Sequence, residues 1–279
     1  MVSAANLAFC EGLSMTLAKT ANQSMVTVSG HEVELHKGGA GAPLLFLHGG
    51  GGFGTYDPTS GPLAERFTVY APSLPGFFGT PRPEWLYSIN DVAHFIQDLV
   101  RQLGLDDYVL MGHSVGGWVA AEMAAMDSHK LKGLVLVDAA GIRPEKGEIT
   151  EIFMVSGDAR LKLGFHDPTQ VPNYDFFTAE KSPEESAMDH ANMEMLSRLC
   201  WRPYLHNPSL PHYLSGVDTN TLVVWGKQDA IIPEECGEMY AKLLPNASLQ
   251  SINNCGHRPQ MEKPQEFNEI VTKFLDKLS

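Results

Sequence analysis

The chain has 279 residues, 43 % of them hydrophobic, and its 33 Asp and Glu against 20 Lys and Arg leave a formal charge of -13. That length and apolar share can bury a large core, in one large domain or one domain with an insertion. The acidic balance works against a nucleic-acid partner, whose binding rests on Lys and Arg neutralising phosphates.

The amino terminus, MVSAANLAFCEGLSMTLAKTANQS, has no basic segment ahead of its apolar residues, and Glu11 interrupts them. It therefore reads as an extension rather than a signal peptide. No apolar run approaches the roughly 20 residues of a membrane span. Cys10, Cys200, Cys236 and Cys255 are scattered, with no C-x-x-C pair, and read as reduced thiols of a cytoplasmic protein rather than a zinc site or a disulfide framework.

The fold starts with Val26-Thr27-Val28 and the alternation at Val33 and Leu35. Leu44 to Leu47, Phe67 to Ala71, Tyr108 to Met111, Leu134 to Val137 and Leu222 to Trp225 are short, apolar almost throughout, and mostly followed by a glycine-marked turn. Strands without alternation are buried on both faces, which predicts a mainly parallel sheet between helices. Between them SINDVAHFIQDLVRQLGL carries Val92, Phe95, Ile96, Leu99, Val100 and Leu103 at helical spacing, with Ser88 and Asp91 as a capping box and Gly104 as the stop. A second helix is predicted just after Ser114, and a last one over Pro264 to Leu278, with Leu249 to Ile252 as the strand before it. From Gly141 to Ser215 the strand rhythm gives way to a stretch rich in Met and aromatics. The expected organisation is an extension at 1–24, a core at 25–141, a helical insertion at 142–216 and the rest of the core at 217–279.

The chemistry centres on Met111-Gly112-His113-Ser114-Val115-Gly116-Gly117, directly after the run Tyr108-Val109-Leu110. Gly112-x-Ser114-x-Gly116 between a strand and a helix is a nucleophile elbow: glycines without Cβ atoms permit the tight turn, and the serine stands at its apex. A serine hydroxyl needs a base, and the base an acid to orient it. His257, on the loop before the terminal helix, is the candidate base, and Asp229, ending Trp225-Gly226-Lys227-Gln228-Asp229 after a strand, is the candidate acid. Their order, Ser114, Asp229, His257, is that of the elbow fold. Asp138, which also ends a strand, is the competing acid; otherwise it caps the turn into the insertion. His48-Gly49-Gly50-Gly51-Gly52-Phe53-Gly54 follows a strand and lets backbone N–H groups approach a reacting oxygen. The expected oxyanion donors are the N–H groups of Gly50, or alternatively Gly51, and of Val115. No G-K-[ST] and no G-x-G-x-x-G opening a helix supports a phosphate loop there. His48 reads as structural, tying the loop down. The remaining pocket candidates are His113, Phe53, Trp201 and Arg198, and Arg198 and Arg202 could face a substrate carboxylate.

On these residues the chain resembles the α/β-hydrolases from about Val26 to its end. The resemblance implies a mainly parallel eight-stranded sheet, a helical cap after the sixth strand, and no metal or organic cofactor. Ser114 excludes the branches with an aspartate nucleophile. Cys255-Gly256-His257-x-x-Gln260-x-Glu262 is similar to the carbon–carbon hydrolases of aromatic ring-cleavage products, but His113 stands where those tend to have asparagine and Arg258 where they tend to have tryptophan. The reading that follows is a serine hydrolase of small to medium carboxylic esters. The alternatives are a carbon–carbon hydrolase of diketone acids, a cofactor-independent perhydrolase or oxygenase, and a ligand receptor on the same frame. The expected partner is a small-molecule substrate, with no nucleic acid and no membrane, on a monomer or homodimer.

Overall fold

The computed structural model describes residues 22–278. Cys10 and residues 1–21 of the expected extension lie outside them, while Asn22, Gln23 and Ser24 already belong to the first strand. Strands β1 (Asn22–Val28) and β2 (His31–Gly38) form an antiparallel hairpin, and β2 runs antiparallel to β4 (Phe67–Pro72). From there β4, β3 (Ala42–Leu47), β5 (Tyr108–His113), β6 (Leu131–Val137), β7 (Thr221–Gly226) and β8 (Ala247–Ile252) are all parallel to their neighbours. The eight strands lie in the order β1-β2-β4-β3-β5-β6-β7-β8, with β5 near the middle.

Continuous apolar runs are what a sheet covered on both faces requires. Successive side chains of a strand point to opposite faces, so the runs divide between two cores. Leu45, Leu47, Leu110, Leu134, Leu136, Val223 and Trp225 face one side, with Val92, Ile96 and Leu99 of helix α1 (Ile89–Leu103) and the buried helix α2 (Val115–Met126). Leu44, Phe46, Val109, Met111, Val135, Val137, Leu222 and Val224 face the other, under Phe267, Val271 and Leu275 of the terminal helix. The capping box at Ser88 and Asp91 is present, and Gly104 ends α1 in the left-handed conformation with φ 63°.

Between β6 and β7 the chain forms helices α3 (Gly157–Leu163), α4 (Asp175–Thr178), α5 (Pro183–Cys200) and α6 (Leu210–Tyr213), and no strand. Helix α7 (Glu234–Leu243), which its sequence pattern does not announce, joins β7 to β8. The short α8 (Pro259–Glu262) and α9 (Pro264–Leu275) follow β8, and α9 tightens into a 3₁₀ turn over Asp276–Leu278 where the sequence predicts continuing helix. Helix α5 lies over the carboxyl end of the sheet: Asn192 Oδ1 accepts from the Phe78 N–H at 2.9 Å, and Leu196 approaches Gly50. Cys200, Cys236 and Cys255 are buried free thiols. No helix among the described residues is long and apolar enough to cross a membrane.

Candidate active site

Strand β5 passes into α2 through Ser114, whose φ of 55° and ψ of -119° lie outside the regions an L-residue ordinarily adopts. Such a conformation costs on the order of 1–3 kcal/mol and persists only where its surroundings enforce it. Here they do. A Cβ on Gly112 would lie 2.2 Å from the carbonyl oxygen of Gly116, and one on Gly116 2.3 Å from that of Leu47. Only glycine fits either place, and the closeness fixes the serine at the apex. Its N–H donates to the Val137 carbonyl at 2.9 Å, and its own carbonyl accepts from Trp118 at 3.0 Å and Ala140 at 3.1 Å.

The structure brings Ser114, Asp229 and His257 together from three loops at the carboxyl ends of β5, β7 and β8. His257 Nε2 lies 2.9 Å from Ser114 Oγ, and His257 Nδ1 lies 2.7 Å from Asp229 Oδ2. A carboxylate can only accept, so Nδ1 carries the hydrogen and Nε2 is free to take the hydroxyl proton. The Asp229 side chain is fully buried and held in turn, its Oδ1 accepting from the N–H groups of Ile231 at 2.7 Å and Ile232 at 3.0 Å. An aspartate so fixed orients the imidazole and balances the positive charge formed when the ring takes a proton.

Asp138 lies beside this pair rather than replacing Asp229. Asp138, Asp229 and His257 each bring one polar atom within 4.8 Å of the others, but the contact with His257 Nδ1 belongs to Asp229. Asp138 Oδ1 accepts from the Gly226 N–H at 2.9 Å, while Oδ2 meets no protein donor. Burial, then the neighbouring Asp229, push the Asp138 carboxyl well above the carboxylate range. A proton on Oδ2 resolves the unpaired oxygen by making it a donor toward Asp229.

The histidines beside the site have fixed, non-basic roles. His113 Nε2 donates to the His257 carbonyl at 2.7 Å, and burial holds its pKa well below the usual value. His48 accepts the Leu74 N–H at Nε2, 2.9 Å away, and donates from Nδ1 to the Gly49 carbonyl at 2.7 Å. Burial lowers its pKa to about 4, and both bonds anchor the glycine loop. Within that loop Gly52 N–H turns back to the Gly49 carbonyl at 3.0 Å, but the N–H groups of Gly50 and Gly51 meet no acceptor among the described residues. Neither does Val115, the first residue of α2, where free N–H groups and the helix dipole favour negative charge.

A cavity of about 90 Å³ opens over Ser114, lined by Gly50, Gly51, His113 and His257 and roofed by Ile152, Met193 and Leu196 of the insertion. A larger hollow of about 330 Å³ lies beyond Met261, between Tyr56, Pro172 and Asn268. It holds neither Ser114 nor His257, both of which line the smaller cavity. Three of the pocket candidates lie elsewhere. Phe53 packs on the rings of Phe46, His48 and His36. Trp201 is half exposed at the end of α5, against Phe153 and Tyr204. Arg198 covers Tyr87 and donates to the carbonyls of Leu86 at 3.1 Å and Glu84 at 2.9 Å, while Arg202 is exposed.

Three residues of this region carry more than their sequence context announces. Glu262, only 2 % exposed, accepts from Gly256 N–H at 2.7 Å, Asp167 N–H at 2.8 Å and His166 N–H at 3.1 Å, clamping the His257 loop to the insertion. Arg258 adjoins His257 in sequence and lines the cavity with Arg160, which arrives from α3 with no local signal.

A strained serine elbow at the centre of a mostly parallel eight-stranded sheet is the architecture of the α/β-hydrolases. The chain belongs to the alpha/beta hydrolase family, whose model matches residues 44–270. It is 26 % identical over 275 residues to the 2-hydroxy-6-oxo-2,4-heptadienoate hydrolase of Pseudomonas putida, covering 90 % of this chain and 95 % of that one. Among solved structures it resembles a protein of Acinetobacter baumannii provisionally assigned as a lipase, with TM-score 0.83 and 22 % identity over 100 % of this chain and 98 % of that one. A meta-cleavage product hydrolase of Pseudomonas fluorescens gives TM-score 0.78 and 23 % identity, over 92 % and 98 %.

Proposed function

We propose that this hydrolase cleaves small to medium carboxylic esters through an acyl-enzyme on Ser114. The observation that carries the reading is the chain of contacts from Ser114 Oγ to His257 Nε2 at 2.9 Å and from His257 Nδ1 to Asp229 Oδ2 at 2.7 Å. His257 takes the hydroxyl proton as Ser114 Oγ bonds to the ester carbonyl carbon, and the electron pair moves onto the carbonyl oxygen. The Gly50 and Val115 N–H groups hold that oxyanion, with Gly51 as the alternative to Gly50; one such donor is typically worth 10²–10³ in rate. Collapse breaks the bond to the alcohol oxygen, which leaves with the proton from His257. Water then adds to the acyl carbon, giving a proton to His257, and the carboxylic acid departs as that proton returns to Ser114 Oγ. Asp229 stabilises the imidazolium in both halves. The helical insertion serves as a cap, with Leu196 and Met193 shaping the acyl site.

The match to the 2-hydroxy-6-oxo-2,4-heptadienoate hydrolase along most of both chains favours a second reading, hydrolysis of a carbon–carbon bond in a vinylogous 1,5-diketone acid. His113 and Arg258, which differ from the residues usual in that group, weigh against it. Hydrolysis of p-nitrophenyl butyrate by wild type and by Ser114→Ala tests the first reading. Turnover lost in the variant supports it; no turnover by folded wild type, with cleavage of the diketone acid, replaces it by the second.

A further inference from the structure

Six of the eight arginines divide by what they touch, and the other two, Arg143 and Arg202, are exposed. Arg66, Arg82 and Arg101 pair on the surface with Asp276, Glu194 and Asp98, and Arg198 is engaged by two backbone carbonyls. Arg258 and Arg160 instead line the cavity that holds Ser114 and His257. Among the described residues no carboxylate lies within ion-pair distance of either. The Arg160 guanidinium makes only contacts of 3.4 Å to the carbonyls of Ile152 and Val155, and the Arg258 guanidinium meets no hydrogen-bond acceptor among the described residues. A chain with 33 acidic residues could readily supply a partner; here it supplies aromatic faces.

The Arg258 guanidinium is held by packing. It stands 5.2 Å from the ring centre of Phe165 and 5.6 Å from that of Phe177. A Cβ on Gly51 would come within 3.1 Å of its Nη2, and one on Gly164 within 3.1 Å of its Nε. The glycine loop on one side and the end of α3 on the other thus leave a slot for this side chain. Burial, then the positive charge of Arg160, push its pKa down to about 10, so it remains a cation at neutral pH. Two like charges held together without a counter-ion are unfavourable to the empty protein, and an anion between them relieves both the repulsion and the unmet donors. The planar guanidinium fork matches a carboxylate in particular.

We propose that the substrate carries a carboxylate, and that Arg258, assisted by Arg160, binds it while Ser114 attacks the ester carbonyl. The proposal rests on the ester-hydrolase reading and narrows it from esters in general to half-esters of dicarboxylic acids or esters of carboxylated alcohols. The Arg258 position beside Gly51 places the anion near the oxyanion donors, so binding at one end aligns the carbonyl at the other.

The test uses matched pairs on the full chain. Mono-p-nitrophenyl glutarate is compared with p-nitrophenyl valerate for a charge on the acyl side, and 4-butyryloxybenzoate with 4-butyryloxybenzamide for a charge on the alcohol side. Wild type is expected to favour the anionic member of one pair at least tenfold in kcat/KM. Arg258→Met should lower that ratio tenfold or more, chiefly through KM, and Arg258→Lys should retain part of it. A wild-type ratio near one for both pairs, or a ratio that neither Arg258→Met nor Arg160→Met moves, overturns the proposal. If Arg258→Met fails to fold, Arg160→Met gives the same readout. If wild type cleaves none of the four esters, the ester-hydrolase reading fails separately. Calorimetric binding of glutarate to wild type, weakened tenfold or more in the arginine variants, then supports the anion site, and no binding overturns it.

Discussion

At the scale of single residues, Asp138 and Asp229 show how two identical side chains on neighbouring strand ends acquire different roles. Asp229 accepts from two backbone N–H groups at one oxygen and faces His257 with the other. Asp138 has one backbone donor and an oxygen with none, which favours the neutral form. Amide substitution separates them. Asp229→Asn presents an N–H to Nδ1 or weakens the contact, admits the wrong imidazole tautomer, and should lower kcat for p-nitrophenyl butyrate on the order of 10⁴-fold. Asp138→Asn keeps a neutral donor where the protonated acid stands and should lower kcat less than tenfold. Equal losses in the two variants would mean that Asp138 carries a charge needed in the reaction. Sequence alone left these two aspartates as competitors, because both end a strand; only the facing atoms distinguish them.

At the scale of elements, what was legible follows from locality. The elbow, the capping box of α1 and the buried strands are written in residues within a few positions of one another, and Gly112 with Gly116 records a backbone approach that no other residue permits. The lining of the cavity is not local. Arg160 reaches it from a helix of seven residues with no buried position, and Trp201 and Arg198 turn away from it because Tyr204, Tyr87 and the Leu86 carbonyl are nearer partners. The clamp by Glu262 joins positions 95 and 96 residues apart, so no window along the chain reveals it. It is also where the insertion and the His257 loop depend on each other. Glu262→Ala leaves three backbone N–H groups without their charged acceptor. Hydrogen bonds to charged groups contribute about 1.5–3 kcal/mol each, but these three share one side chain and solvent can reach part of the loop, so a total near 3 kcal/mol is expected. Chemical denaturation should show that loss, with faster amide exchange at His166, Asp167 and Gly256. A loss confined to activity, with stability and exchange unmoved, would contradict the clamp.

For the molecule as a whole, buried groups with shifted pKa values pull stability in opposite directions as pH changes. His48 titrates near 4 in the folded chain against about 6.5 when unfolded, and His113 is also lowered. The unfolded chain therefore binds more protons below pH 6.5, and the stability these neutral rings contribute is lost as pH falls from about 6.5 toward 4. For His48 alone, the drop from about 6.5 to about 4 corresponds to roughly 3 kcal/mol, a sizeable part of the roughly 5–15 kcal/mol that holds a typical domain folded. Asp138 acts the other way: its raised pKa makes the folded chain the better proton binder above pH 4, so its contribution falls as pH rises through the folded pKa. Between pH 5 and 7 the two effects oppose each other, and the wild-type curve shows only their difference. Single variants separate them. Between pH 7 and pH 5, His48→Gln, which keeps an acceptor for Leu74, should lose about 2 kcal/mol less stability than wild type. Asp138→Asn should lose more over the same interval, because the opposing term is gone. Urea unfolding at the two pH values measures both. If the His48→Gln and wild-type differences coincide, His48 is not the proton-excluding group that its burial and its two backbone partners make it.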